Sequence, residues 1–461
     1  MKIPFLSGEA PEGYYPVNLY FLPEKFNGRD ELAGTPGLVE YWDTTKREEV
    51  RGIHKFGEYV YGVVGNTLYL CGDTISPTAA STTLDTSSGH VHMENNGTHV
   101  MIVDKSYGYI VTQSSGTPTL TKITDTDMGT PKGLTEQDTY FIITQKDSSD
   151  YTYSDTSDGT AWSVGVQVAT GESDNLVACI SDHRELLLFG ERTTEIHYNS
   201  GDATFTFERN PSAFIEVGCG AEDSPAKIDN SVFWLADDYT VRRLDGYSPI
   251  IISPPKLNQH ISGYSTKSDA IGYTFKKDGN SFYVLTFPTE SVTWVYNAAT
   301  QLWHQWASGE SQARHRSNCY CYYKGKHLVG DYHNGRIYRL DDDTYTDNSD
   351  TIRWTRTAPQ IYSPNRNRLF FHEFEIEFRA GVGILSGQGS DPQVMLDWSD
   401  DGGRTWSNEH WTGVGQLGEY KTRAKWWRLG SAYARIFRVS GTDPVERSII
   451  GAYAKITEGL H

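Results

Sequence analysis

Hydrophobic and polar positions alternate with a period of two along most of this chain, the mark of half-buried β-strands. The alternation comes in recurring segments: "YVYGVVGNTLYLCGD" from Tyr59, "THVMIVDKSYGYIV" from Thr98, "TYFIITQKDSSDYTYS" from Thr139 and "NLVACISDHRELLLFGERTTEIHY" from Asn175. "NSVFWLADDYTVRRLDG" from Asn230, "NSFYVLTFPTESVTWVYN" from Asn280 and "CYCYYKGKHLVGDYHNGRIYRLD" from Cys319 complete a set of seven. Each reads as a strand, a short Gly, Asn or Asp turn and a second strand. Gly65-Asn66, Asn95-Asn96-Gly97 and Lys324-Gly325-Lys326 supply the residues that tolerate positive φ in tight hairpins. Successive segments start about 40 to 50 residues apart, the period of propeller blades. The pattern predicts an all-β protein with a β-propeller of six or seven blades over residues 45–345. Its competitor, a pair of β-sandwiches, has similar hairpins at less even spacing.

The texture changes on either side of that region. After the acidic stretch from Leu340 to Asp350, which reads as a linker, the strands become fewer and longer: "TIRWTRTAPQI", "FFHEFEIEFRAGVG", "QVMLDWSDDGGRTW", "EYKTRAKWWRLG" and "ARIFRVSG". Phe374, Ile376 and Phe378 alternate with Glu373, Glu375, Glu377 and Arg379, so one face of that strand is apolar and the other wet. We expect a C-terminal β-sandwich over 350–461. Residues 1–44 carry Pro4, Pro11, Pro16, Pro23 and Pro36 with little periodicity, and are expected to form an N-terminal arm that orders against a neighbouring molecule.

Composition narrows the class. A chain of 461 residues, 37% hydrophobic and 13% aromatic, holds enough apolar material for two or three cores. No run of about 18 apolar residues occurs, so no membrane span is expected. The N-terminus meets Pro4, Gly8 and Pro11 after a single positive charge, Lys2, so no signal peptide is expected either. Five cysteines without a CxxC spacing read as buried reduced thiols, with Cys319 and Cys321, two apart on one strand face, as the competing metal or redox pair. A net charge of −18 repels phosphate, so contact with DNA is expected to be weak and non-specific.

One local motif is sharp. Ser399, Asp401, Gly403, Thr405 and Trp406 fit the Asp-box pattern S-x-D-x-G-x-T-W, in which Asp and Ser or Thr oxygens close a hairpin turn over a Trp. Sialidases carry such boxes on several blades as turn stabilisers, which keeps a sialidase-like or glycan-binding propeller as the alternative. Glycoside hydrolysis needs two carboxylates at a set separation, and nothing singles out a pair among 59 acidic residues. His90 and His92 share one face of "GHVHM", and Asp331 with His333 repeats that spacing. Neither pair has a third ligand in sequence, so both read as hydrogen-bonded side chains near blade turns. Asp341-Asp342-Asp343 lacks the order of a calcium loop and reads as solvated linker, and the formal sequon Asn96-Gly97-Thr98 as a turn. We therefore expect no enzyme, no catalytic residue, no metal and no cofactor, and assign the Asp box to turn formation.

Several stretches together resemble the packaged-DNA stabilisation proteins, the tail nozzle or hub of short-tailed bacteriophages. These are "YYPVNLYFLPEKFNGRDELAGTPGLVEYW" from Tyr14, "RGIHKFGEYVYGVVGNTLY" from Arg51, "ISDHRELLLFGERTTEIHYNSGDATFTFER" from Ile180 with the following "GCGAEDSPAKIDNSVFWLADD", and "IFRVSGTDPVERSIIGAYAKI" near the end. The likeness lies in order and texture, and the Asp box has no counterpart in it. It implies a virion structural protein. It further implies a homo-oligomeric ring, six copies, that sits below the portal and adaptor, closes the DNA exit channel, retains packaged DNA and receives the tail needle, fibres or spikes.

Overall fold

A computed structural model describes residues 2–6, 13–26, 28–114, 116–163, 166–169, 171, 174–202 and 206–459. Gly8 and Pro11 of the N-terminal segment, and 203–205 of the central stretch that resembles the phage family, lie outside the described residues. The chain divides into two compact units, Glu40–Ser291 with Arg316–Leu340, and Met1–Val39 with Val292–His315 and Asp341–His461.

The first unit is a β-propeller of seven sheets. Five sheets have four antiparallel strands each, and their first strands are Val50–Phe56, His92–Asn95, Pro131–Gln137, Leu176–Asp182 and Ala226–Ile228. Within this unit the sixth blade contributes Ile271–Lys277 and Asn280–Phe287, and the seventh opens with Ser317–Tyr323. The first strand of each blade is an edge strand that packs against the first strands of its neighbours, so these seven strands line the axis. The ring can be followed bond by bond. His54 Nε2 meets Asn95 Nδ2 at 2.8 Å between blades one and two. Ser181 N donates to Thr135 Oγ1 at 2.9 Å between blades four and three, and Lys227 Nζ to Ser181 O at 2.9 Å between five and four. Thr274 Oγ1 donates to Lys227 O at 2.8 Å, Tyr273 Oη to Ser317 Oγ at 2.8 Å, and Asn318 Nδ2 to Glu49 Oε1 at 2.8 Å and Val50 O at 3.1 Å, which closes blade seven on blade one.

Blade cores are apolar wedges between neighbouring sheets. Tyr61, Val63, Leu68 and Leu70 of blade one pack on Val100, Ile102, Tyr109 and Val111 of blade two. Turns between strands take the conformations the sequence allows, with Gly65 and Gly325 at positive φ. One helix, Pro255–Ser262, follows the fifth blade. It opens on Pro255 and buries Leu257 and Ile261 on one side.

The second unit contains the sandwich. One sheet runs in the order Leu19–Phe26, Arg29–Gly34, Ser448–Glu458, Leu369–Phe378 and Ala424–Trp427, and the other in the order Trp354–Thr357, Ala434–Gly441, Gln393–Ser399 and His410–Gly413. Phe374 and Ile376 are fully buried in its core, where the Phe374 and Phe437 rings stack at 4.5 Å. The wet face of the same strand carries Glu373, Glu375 and Glu377 against Lys425, Arg423 and Arg29.

The described residues of 1–44, expected as an arm, contribute to folded β-structure. Ile3, Phe5, Leu6, Leu19 and Leu32 are buried in the sandwich core, and Arg29–Gly34 pairs with the C-terminal strand. Apolar residues at irregular spacing were enough, because Ile3, Phe5 and Leu6 fill a core already shaped by other strands. The stretch Leu340–Asp350, expected as a linker, holds Thr346–Asp347, whose Asp347 pairs in parallel with Leu38 and accepts from Ser308 Oγ at 3.0 Å.

Candidate functional site

The Asp box closes a turn after strand Gln393–Ser399. Asp401 Oδ1 accepts from Ser399 Oγ at 2.7 Å and from the backbone N–H groups of Arg404 and Thr405, both at 2.9 Å, while Oδ2 accepts from Thr405 Oγ1 at 2.7 Å. Ser399 Oγ accepts in turn from Gly403 N at 2.8 Å. These bonds, the Thr405 N–H first, hold the Asp401 carboxyl well below the usual carboxylate range. Gly402 and Gly403 sit at φ 75° and 89°, and a Cβ on Gly403 would fall 1.7 Å from Tyr14 Oη. Trp406 lies under the Arg438 guanidinium at 3.8 Å, with the Tyr14 ring edge-on at 6.3 Å. All five box residues are thus brought together, and both carboxylate oxygens of Asp401 are occupied by the turn itself.

A second cluster, whose members the sequence scatters, lies at the propeller axis. His92 Nε2 stands 3.0 Å from Asp223 Oδ1, and Lys105 Nζ binds Asp223 Oδ2 at 2.6 Å and Glu222 Oε1 at 2.5 Å. Lys132 Nζ stands 3.8 Å from Glu222 Oε2. The His90 and His92 rings are 5.4 Å apart and perpendicular. Blade two supplies the histidines and Lys105, and the segment leading into blade five supplies Asp223. Those blades are three places apart in a ring of seven, so the cluster spans the axis. Gly272 N fixes the same segment by donating to Asp223 O at 2.8 Å. Beside it lies a cavity of about 170 Å³ lined by His90, His92, Glu94, Gly52, Tyr273 and Asn318.

Burial sets the charge states here. It pushes the His90 imidazole down to about 4, against the Asp223 charge, so that ring is neutral at neutral pH. For Asp223, burial works upward, but the Lys105 charge and the His92 contact outweigh it and hold the carboxyl far below its usual range. Burial likewise opposes the Lys105 charge, yet Asp223 and Glu222 keep its pKa raised. Burial pushes Glu94 up to about 7, against the Lys227 charge.

The other candidates stay structural in their geometry. Asp331 Oδ1 accepts from His333 N at 2.7 Å and its Oδ2 faces Arg316 Nη1 at 3.3 Å, and among the described residues no third ligand joins that pair. Asp343 N donates to Asp341 Oδ1 at 3.0 Å in a local turn. Asn96 is buried, and its Oδ1 accepts from Thr98 N and His99 N, which makes the formal sequon the closure of a hairpin. All five cysteines are free and buried, with Cys71, Cys179, Cys219 and Cys321 pushed up to about 12 by burial, so none is a ready thiolate. Among the described residues, His90, His92 and Asp223 are the one group of three metal-ligating side chains within reach of each other. No helix among the described residues is long and apolar enough to cross a membrane.

A seven-bladed propeller and a β-sandwich define a two-domain β-protein. The chain belongs to the bacteriophage P22 Gp10 family: the β-propeller model of that family matches residues 1–345 and its β-sandwich model residues 353–457. It is therefore a phage tail structural protein, a component of the virion that assembles with other virion proteins, and its family is not one of enzymes. No curated protein matches the sequence. Similar solved structures include the Pan2 WD40 domain of Neurospora crassa (10% identity, 68% of this chain and 96% of that one, TM-score 0.41). BamB of Moraxella catarrhalis is another (12% identity, 70% and 94%, TM-score 0.41). A third is the extracellular domain of a putative one-component system from B. thetaiotaomicron (9% identity, 89% and 58%, TM-score 0.44).

Proposed function

We propose that this chain forms the nozzle or hub of the phage tail. Six copies make a ring that closes the DNA exit channel, retains packaged DNA and connects the portal and adaptor side to the tail needle, fibres or spikes. The observation that carries this reading is the match of both family domains, in order, over nearly the whole chain. The propeller axis supports it indirectly. A cavity of about 170 Å³, lined by His90, His92 and Glu94, is far too small for a duplex whose major groove alone is about 12 Å wide. A conduit for DNA therefore has to be enclosed by several copies, and a closed ring is the way identical chains enclose a space. The Asp box has a turn role in this reading, as the closure of the hairpin that presents Trp406.

The test is particle mass and negative-stain imaging of the purified chain, alone and mixed with portal–adaptor complexes. The expected result is a ring of six on the complex, formed either beforehand or upon contact. A chain that stays monomeric with the complex and is missing from purified tails overturns the reading.

A further inference from the structure

The axial cluster has the composition of a metal site. His90 and His92 offer two imidazole nitrogens and Asp223 one carboxylate oxygen, with the three ligand atoms all within 4.8 Å of one another. His90 Nδ1 is buried and makes no hydrogen bond, an orphaned lone pair or donor of the kind that folded proteins rarely leave unused. Tetrahedral zinc with bonds of about 2.0 to 2.1 Å holds its ligand atoms about 3.3 Å apart. His92 Nε2 and Asp223 Oδ1 already stand 3.0 Å apart, and the remaining separations close by rotation about the histidine side-chain torsions. Lys105 takes the other carboxylate oxygen, Oδ2, which orients Asp223 in the way hydrogen-bonded partners orient ligating carboxylates.

We propose that His90, His92 and Asp223 bind a zinc-class divalent transition-metal ion that ties blade two to blade five across the propeller axis. Two nitrogens and one oxygen suit zinc, cobalt or nickel and not the all-oxygen cages of calcium or magnesium. The fourth position opens toward the cavity, where a water completes the tetrahedron beside Glu94. With the carboxylates of Asp223 and Glu222 already faced by Lys105 and Lys132, the ion enters a site without excess negative charge. Its affinity is accordingly below that of a four-ligand thiolate site. The role of the ion is mechanical: it reinforces from inside the ring the link that Lys105 and His92 make to Asp223 across the axis.

The experiment uses the full chain, stripped with a chelator and dialysed against zinc, with cobalt as the visible-absorption probe. The expected result is one zinc per chain by elemental analysis, tetrahedral cobalt bands, and a melting temperature raised by zinc and not by magnesium. His90→Ala and His92→Ala should each weaken zinc binding about tenfold or more and abolish the cobalt bands. His90→Ala keeps the Lys105–Asp223–His92 contacts, so its metal-free melting temperature should match the parent and separates lost binding from lost folding. Absence of stoichiometric zinc in the parent chain, or zinc retention unchanged in both variants, overturns the proposal.

Discussion

Asn18 shows how much one side chain can hold. It is buried, its Nδ2 donates to Ala307 O at 2.9 Å and Arg353 O at 2.7 Å, and its Oδ1 accepts from Ala307 N at 2.8 Å, so it stitches three distant segments of the sandwich unit. Its φ of 55° is one that Asn tolerates better than Ala. Asn18→Ala should therefore cost about 2 to 3 kcal/mol in urea unfolding, from stranded carbonyl and N–H groups and from backbone strain. Asn18→Gly, which removes the bonds and relieves the strain, should recover part of that loss. Equal losses in both would show that the backbone conformation contributes nothing. Asp401 tests the Asp box in a different currency. Asp401→Ala strands two N–H groups and two hydroxyls and should lower the melting temperature, whereas Asp401→Asn, which keeps an acceptor at Oδ1, should lower it less. A melting temperature unchanged in both would remove the turn role.

At the scale of strands, the blades were legible where hairpins carry their own turn chemistry. The segments from Thr98, Thr139 and Asn230 are the central hairpins of blades two, three and five, read correctly because Gly, Asn and Asp at the turns and apolar alternation agree. The first strands of blades two and five were harder, since His92–Asn95 and Ala226–Ile228 are only four and three residues long. His92–Asn95 has the sequence HMEN and no alternation at all, so its place in a sheet is set by its pairing with Val100–Val103. Nor could sequence show that Arg51 is fully buried, because the carbonyls of Gly65, Thr86, Ser88 and Gly89 that receive its guanidinium lie in later turns. The same holds for Asp223, the missing third ligand for His90 and His92, which the ring order alone brings across the axis.

The junction of blades one and two yields a pH prediction. Burial, with Lys55 adding to it, pushes His54 down to about 4, and the neutral ring bonds Asn95 Nδ2. In the unfolded chain the same histidine titrates near about 6.5. Between these values the unfolded state binds more protons than the folded one, so stability rises with pH from about 4 to about 6.5 and is lost on acidification through that window. His54→Gln, which keeps a hydrogen-bonding partner without a titration, should flatten the slope of unfolding free energy against pH there. A slope identical to that of the parent chain would assign the acid sensitivity to other groups.

For the whole molecule, charge is the property that bears on DNA. In the proposed ring, copies of a chain of net charge −18 would carry more negative than positive groups around an enclosed duplex. Each phosphate contact that did form would release counterions and steepen the salt dependence by a slope of about 0.9, which adds drag to DNA passing through. A wall that declines such contacts would hold DNA by closure and let it leave with little drag. Many of the lysines and arginines are also engaged already: Arg29 with Glu377, Arg47 and Arg336 with Asp43, Lys105 with Asp223, Arg435 with Asp400. Pairing of this kind takes part of the positive charge away from phosphates. The prediction is that duplex DNA binds the chain more weakly than roughly 1 μM in an anisotropy titration at about 50 mM salt, where electrostatic binding is strongest. Tighter binding with a steep salt slope would place a basic surface along the conduit and replace retention by closure with retention by adhesion.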